Sequence, residues 1–307
     1  MASAEGDGRR QSLDAGRAPR GRAGTAGANP TVRQRELGMR LRDLRNGLGL
    51  TVEDVAQQLL CSATKISRLE TGGRRASLRD VRDLCGIYGV TEQAAAELMA
   101  LASKAREPGW WQEYDEPLMS PYLGLEQEAV TITTFSMYCV PALLQTSDYA
   151  RAVIRSIERK ISPDPLEQRV EARLRRHELL ERQSPPRYRA LLDEAVLHRE
   201  FGGPEVMAAQ LDRILKSVSD ERVTVQVIPF DAGAHASIDS NFVILEFAEG
   251  SHQRPVIFVE GLFTNRYQER PVEIARYREA AEYLRDAALS PRDSTSLIKQ
   301  IRSSPKR

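Results

Sequence analysis

Apolar side chains recur at helical spacing through the first third of the chain and in short alternating or continuous runs through the rest. Leu37, Leu41, Leu44 and Leu48 form one stripe among Arg and Glu, and Gly47 and Gly49 end it. Thr51 caps a second helix with Val55, Ala56 and Leu59 inward. Ser62 caps a third with Ile66 and Leu69 inward. A fourth begins at Ser77 or Leu78 and turns Val81, Leu84, Cys85 and Tyr88 to the core. Thr91 caps a fifth carrying Ala95, Leu98, Leu101 and Ala102. Five short helices over residues 30–105 predict a compact all-α domain.

Helical periodicity fails at "REPGWWQEYDEP", where Pro108, Gly109 and Pro117 punctuate the chain, so residues 106–117 are assigned as a linker. Beyond it, "AVTITTFSMY", "RYRALLDEA", "RVTVQVIPF", "NFVILEF" and "PVIFVEG" are strand-like. Helical stretches lie around Ser147 to Ile157, Pro165 to Arg182, Pro204 to Lys216 and Pro271 to Ala288. Residues 118–302 are therefore expected to form a mixed α/β domain. The runs Asn241 to Phe247 and Pro255 to Glu260 are close enough for a hairpin, which predicts a mainly antiparallel sheet. Residues 1–29, rich in Gly, Ala and Arg, lack the apolar side chains that would offset ordering entropy, and read as a disordered basic tail without assigned function.

Composition changes this picture little. The 44 Lys+Arg against 43 Asp+Glu leave a net charge of +1, so affinity for nucleic acid has to come from a local basic face. Cys61, Cys85 and Cys139 are far apart and the histidines are not clustered, which argues against a metal site or a disulfide framework. No signal-like segment and no run of roughly 20 apolar residues is present, which predicts a cytoplasmic protein away from the membrane.

The third helix carries the chemistry. With Ile66 at the centre of its buried face, steps of about 100° per residue bring Leu69, Ser62 and Glu70 inward. Thr64, Ser67, Arg68 and Thr71 then face outward, with Lys65 at the margin. Such a row of hydroxyls and cations suits base edges and phosphates in a major groove, with the preceding helix crossing the backbone. By itself the pattern fits a helical hairpin with a solvated polar face equally well.

The string "LRDLRNGLGLTVEDVAQQLLCSATKISRLETGGR", Leu41 to Arg74, resembles the helix-turn-helix of phage repressor and Cro-type (XRE) regulators. The resemblance implies base reading by Ala63, Thr64, Lys65, Ser67 and Arg68, and phosphate contacts from Ser62, Thr71, Arg74 and Arg75. It also implies a structural pair, Arg45 with Glu70, tying the first helix to the third. The double-stranded DNA partner and a homodimer reading two half-sites belong to the same expectation.

Further along, "EPGWWQEY", "YLGLEQEA", "VPALLQTSDYARAVIR", "RVEARLRRHELLER" and "VEGLFTNRYQERPVEIARYREAAEYLR" resemble the C-terminal domain of actinobacterial WhiJ-like, antitoxin-like regulators. That resemblance implies a ligand or a small protein encoded by a neighbouring gene as partner. It leaves open an antitoxin-like alternative, in which the main role is sequestering a small toxic partner and DNA binding serves autoregulation. An enzyme ranks last, for want of a nucleophile elbow, P-loop, dinucleotide fingerprint or metal spacing; neither cofactor nor metal is expected. Asp231, His235 and Asp239 read as an ordinary loop cluster, and His177 as part of a solvated charge run with Arg173, Arg175 and Arg176. If an effector binds, the candidate pocket residues are Trp110, Trp111, Tyr122, Tyr138, Leu144 and His235.

Overall fold

A computed structural model describes residues 32–107, 109–114, 120–233, 240–249, 251, 253–261 and 265–304. The tail expected over residues 1–29, together with His235 and Asp239, lies outside the described residues. The first unit is α1 (Val32–Gly47), α2 (Val52–Gln58), α3 (Ala63–Glu70), α4 (Leu78–Tyr88) and α5 (Glu92–Lys104). The N-cap hydroxyls of Thr51, Ser62, Ser77 and Thr91 each accept from a backbone amide of the following helix. Asp54 and Asp80 complete capping boxes with Thr51 and Ser77. These side chains satisfy amide donors that a short helix otherwise leaves open. Leu37, Leu41, Val55, Ile66, Leu69, Val81 and Leu84 meet in one core at the helix crossings.

Gly38 permits the tightest of these crossings. A Cβ there would sit 2.5 Å from the Glu70 carbonyl oxygen, so α1 lies flush on the C-terminal end of α3. The tight turn between α2 and α3 is made by Leu60, with φ of 51° and 93 % of its surface exposed. That left-handed conformation disfavours any residue with a Cβ, and nothing packs on the side chain in return. Leu60→Gly is therefore expected to raise the stability of the helical unit by about 1 kcal/mol, read from urea unfolding; a loss of stability would show that the side chain contributes more than its conformation costs.

The second unit runs α6 (Ser120–Glu128), β1 (Thr131–Ser136), α7 (Ser147–Ile157), α8 (Pro163–Arg175), α9 (Glu178–Glu181), β2 (Arg187–Asp193), α10 (Ala195–His198) and α11 (Pro204–Ser217). It continues through β3 (Val223–Ile228), β4 (Phe242–Glu246), β5 (Val256–Val259), β6 (Arg266–Gln268), α12 (Pro271–Ala287) and α13 (Pro291–Ser303). The sheet order is β3-β2-β1-β4-β5-β6. β1, β2 and β3 pair in parallel, whereas β4, β5 and β6 join antiparallel, so the sheet is mixed and mainly antiparallel. The hairpin expected from the two runs near residue 250 is β4 with β5, in register at Val243 and Phe258.

Both faces of the sheet are apolar, because helices cover both. Ile132, Tyr188, Ala190, Val225 and Leu245 face the layer that includes α6, α7, α11 and α13. Phe135, Leu191, Phe242, Ile244 and Ile257 face α12 through Ile274, Ala281 and Leu284. The β3 edge is closed without a further strand. Leu289 N donates to Val227 O at 2.8 Å, and Val227 N donates to the fully buried Ser294 hydroxyl at 2.9 Å.

The single helix expected over Pro165 to Arg182 is instead two, α8 and α9, divided at Arg176 and His177. The solvated charge run expected there also fails, since Arg176 turns inward onto the fully buried Glu126. His177 is half-buried with its ring 3.1 Å from Ala142 O, and burial pushes its pKa down.

Candidate nucleic-acid interface

Burial divides α3 in two. Ile66, Leu69 and Glu70 are buried, while Ser62, Thr64, Ser67, Arg68 and Thr71 are exposed along one side and Arg74 and Arg75 continue that side into the following turn. Arg68, Arg74 and Arg75 make no ion pair among the described residues, which leaves their guanidinium groups available to an outside acceptor. Ser62 caps the helix by accepting from Lys65 N at 3.2 Å, which keeps its hydroxyl proton for a second partner. Ala63 is partly buried against the helical core at the start of the helix.

Two residues of the expected contact surface are engaged elsewhere. Lys65 does not point its ammonium outward: Nζ lies 2.5 Å from Asp80 Oδ1, bridging α3 to the cap of α4. Burial alone would raise the Asp80 pKa, but the bonds from Lys65 and Ser77 outweigh it and hold the carboxyl below its usual value. Its contribution to stability is thus full above the unfolded value of 3.8 and is lost as the pH falls through the lower folded value. Thr71 donates its hydroxyl to Ser67 O at 2.9 Å, closing the last turn of α3 instead of presenting a donor to phosphate. Neither side chain is ready for a DNA contact without giving up an internal bond.

Behind the exposed side, Arg45 clamps α3 in place. Its Nε and Nη2 donate to the two carboxylate oxygens of Glu70 at 2.7 and 2.9 Å, and Nη1 donates to Leu50 O at 2.7 Å. One guanidinium thereby joins α1, the α1–α2 turn and α3. The Glu70 hydrogen bond is the main reason the Arg45 pKa is raised. Tyr88 sits beside this pair with its hydroxyl buried and unbonded, and burial followed by the Glu70 charge pushes its pKa up to about 12.

The residues suggested as an effector pocket do not form one site. Trp110 and Trp111, edge to face at 5.9 Å, line a cavity of about 350 Å³ between Arg33 of α1 and Glu128 of α6. Tyr122 lines a different cavity on the sheet side of α6. Tyr138 is exposed and lines neither, Leu144 is fully buried in the core, and His235 lies outside the described residues. Periodicity misses this because the walls come from strands and helices distant in sequence. Among the described residues no group of His, Cys, Asp and Glu is placed to hold a metal ion, and no helix is long and apolar enough to cross a membrane.

A family model described as a helix-turn-helix domain matches residues 36–98, the span holding α2, the Leu60 turn and α3. A second, described as a domain of unknown function (DUF5753), matches residues 119–300 and takes in the whole sheet. No curated protein and no solved structure matches the chain. With more than half its length inside that second match, the chain belongs to the DUF5753 family and joins its domain to an N-terminal, DNA-binding helix-turn-helix domain.

Proposed function

We propose that the protein is a sequence-specific transcriptional regulator that binds double-stranded DNA as a dimer and whose C-terminal domain takes a ligand or a small partner protein. The observation that carries this reading is the exposed side of α3, with Thr64, Ser67 and Arg68 free to face base edges while Arg45 and Glu70 hold the helix from behind. Ala63 stands at the end of α3 that tips into the groove, and Ser62, Arg74 and Arg75 flank it as phosphate donors. Lys65 and Thr71 serve the architecture of α3 in this assignment. One helix of this size reads few base pairs, so two copies about one DNA turn apart give the selectivity a regulator needs. The resemblance to WhiJ-like regulators supports the partner-binding role, and the protein acts by binding without turnover.

Selection from randomised duplexes should return a pseudo-palindromic site. On that site Arg68→Ala is expected to weaken binding by about 1 to 3 kcal/mol and to relax the base preference at one position in each half-site. Arg74→Ala should weaken all duplexes alike and flatten the salt dependence. Retention of full wild-type selectivity by Arg68→Ala, in a folded protein, would remove α3 as the reading element.

A further inference from the structure

Tyr122 and Glu126, one turn apart on α6, face a cavity of about 110 Å³ walled also by β1, β2, β5 and α8. Its volume is roughly the share of four waters in the liquid, enough for a single small ring. Among the described residues its charged lining is Glu126, Arg173, Arg176 and Glu260, two of each sign, so the wall favours neither an anion nor a cation. A charged guest would shed its hydration without gaining an unopposed partner.

One polar group in the wall is unanswered. The Tyr188 hydroxyl is buried and makes no hydrogen bond among the described residues, although the Thr134 side chain lies near enough to offset part of the effect of burial on its pKa. Burial raises the pKa of this phenol, so it stays protonated and offers a proton. Beside it the rings of Tyr122 and Phe258, 4.3 Å apart, and the side chains of Val140 and Leu143 supply apolar surface. An acceptor oxygen on a compact apolar body is the chemistry that completes this wall.

We propose that the cavity binds a small uncharged ring of about five or six atoms bearing a carbonyl oxygen, with that oxygen accepting from Tyr188 and the ring lying against Tyr122 and Phe258. As an effector site it rests on the regulator reading above. The opposite side of α6 supplies the link to DNA: Glu128 accepts from Arg33 Nε of α1 at 3.1 Å, and Gly124 lies against Trp111. A guest that presses on Tyr122 and Glu126 therefore bears on a helix whose far side holds the helix-turn-helix domain.

Cyclopentanone is a suitable probe. In roughly tenfold excess over its dissociation constant it should raise the melting temperature of the full chain by about 3 °C, and cyclopentylammonium at the same concentration should not. Tyr188→Phe removes an unbonded buried hydroxyl, so it should keep the ligand-free melting temperature and lose the response. Cys139→Leu, which narrows the cavity from a half-buried position in its wall, should lose it as well. No response from the wild type, an equal response to the ammonium, or an undiminished response in Tyr188→Phe overturns the proposal. Duplex binding measured on the same samples separates the two readings: a ketone response in a protein that selects no duplex counts against the regulator and leaves the cavity assignment standing.

Discussion

Glu70→Ala is expected to lower the stability of the helical unit by about 3 kcal/mol and its melting temperature by on the order of 15 °C. The carboxylate is almost wholly buried and receives two hydrogen bonds from Arg45. Its removal leaves a guanidinium under the core with a single remaining bond, to Leu50 O. The loss falls at the lower end for a half-broken buried pair because that bond survives and Arg45 keeps some contact with solvent. Glu70 faces away from the exposed side of α3, so at temperatures where the variant is folded its base preference should match the wild type. Replacing both partners, Arg45→Met with Glu70→Leu, should restore most of the stability, since no charge is then stranded. Thermal unfolding followed by helical circular dichroism gives the first quantity and duplex selection the second. A stable Glu70→Ala with altered base preference would place this side chain at the DNA, contrary to its geometry.

A second buried pair sets the largest effect expected in the C-terminal domain. Glu126 is fully buried and receives Arg176 Nε at 2.8 Å, Arg176 Nη2 at 2.7 Å and the Tyr122 hydroxyl at 2.7 Å. Burial alone would favour a neutral Arg176, but the Glu126 charge outweighs it and raises the pKa, so the guanidinium stays charged. The guanidinium also lies over the Tyr122 ring, 5.3 Å from its centre. Glu126→Ala strands a cation and a phenol together, and is expected to destabilise the domain by about 4 kcal/mol, which in a domain of this size lowers the melting temperature by roughly 10 °C. Denaturant unfolding measured in parallel with Glu126→Gln, which retains an acceptor, separates the lost charge from the lost hydrogen bonds. A change below about 1 kcal/mol would mean that water in the adjoining cavity solvates Arg176 in the variant.

The two pairs differ in how far they are legible in the chain. Arg45 and Glu70 fall inside a helix-turn-helix string, and a helical wheel already turns Glu70 inward, so the resemblance and the periodicity agree there. Glu126 lies on α6 and Arg176, 50 residues further on, in the break between α8 and α9, and the neighbouring Arg173, Arg175, His177 and Glu178 give it the pattern of a solvated charge run. Charge on a helix gives no sign of its own burial when the acceptor comes from an element distant in sequence. Lys65 shows the same limit at shorter range. A wheel puts it at the margin of the exposed face, and the capping box of α4 supplies Asp80 to draw it away.

What sequence alone determined here is local. Short helices, their hydroxyl caps, the strand-like runs with the β4–β5 hairpin and the polar side of α3 all follow from periodicity and from segments close together in sequence, where backbone geometry leaves few choices. Tertiary structure decided whatever depends on separate elements meeting: the flush crossing at Gly38, the pairing of Glu126 with Arg176, the scattering of the suggested pocket residues and the cavity beneath Tyr188. The physical reason is that burial and electrostatic pairing are properties of a position in space, and several sheet neighbours and helix contacts in this chain join segments about 50 or more residues apart.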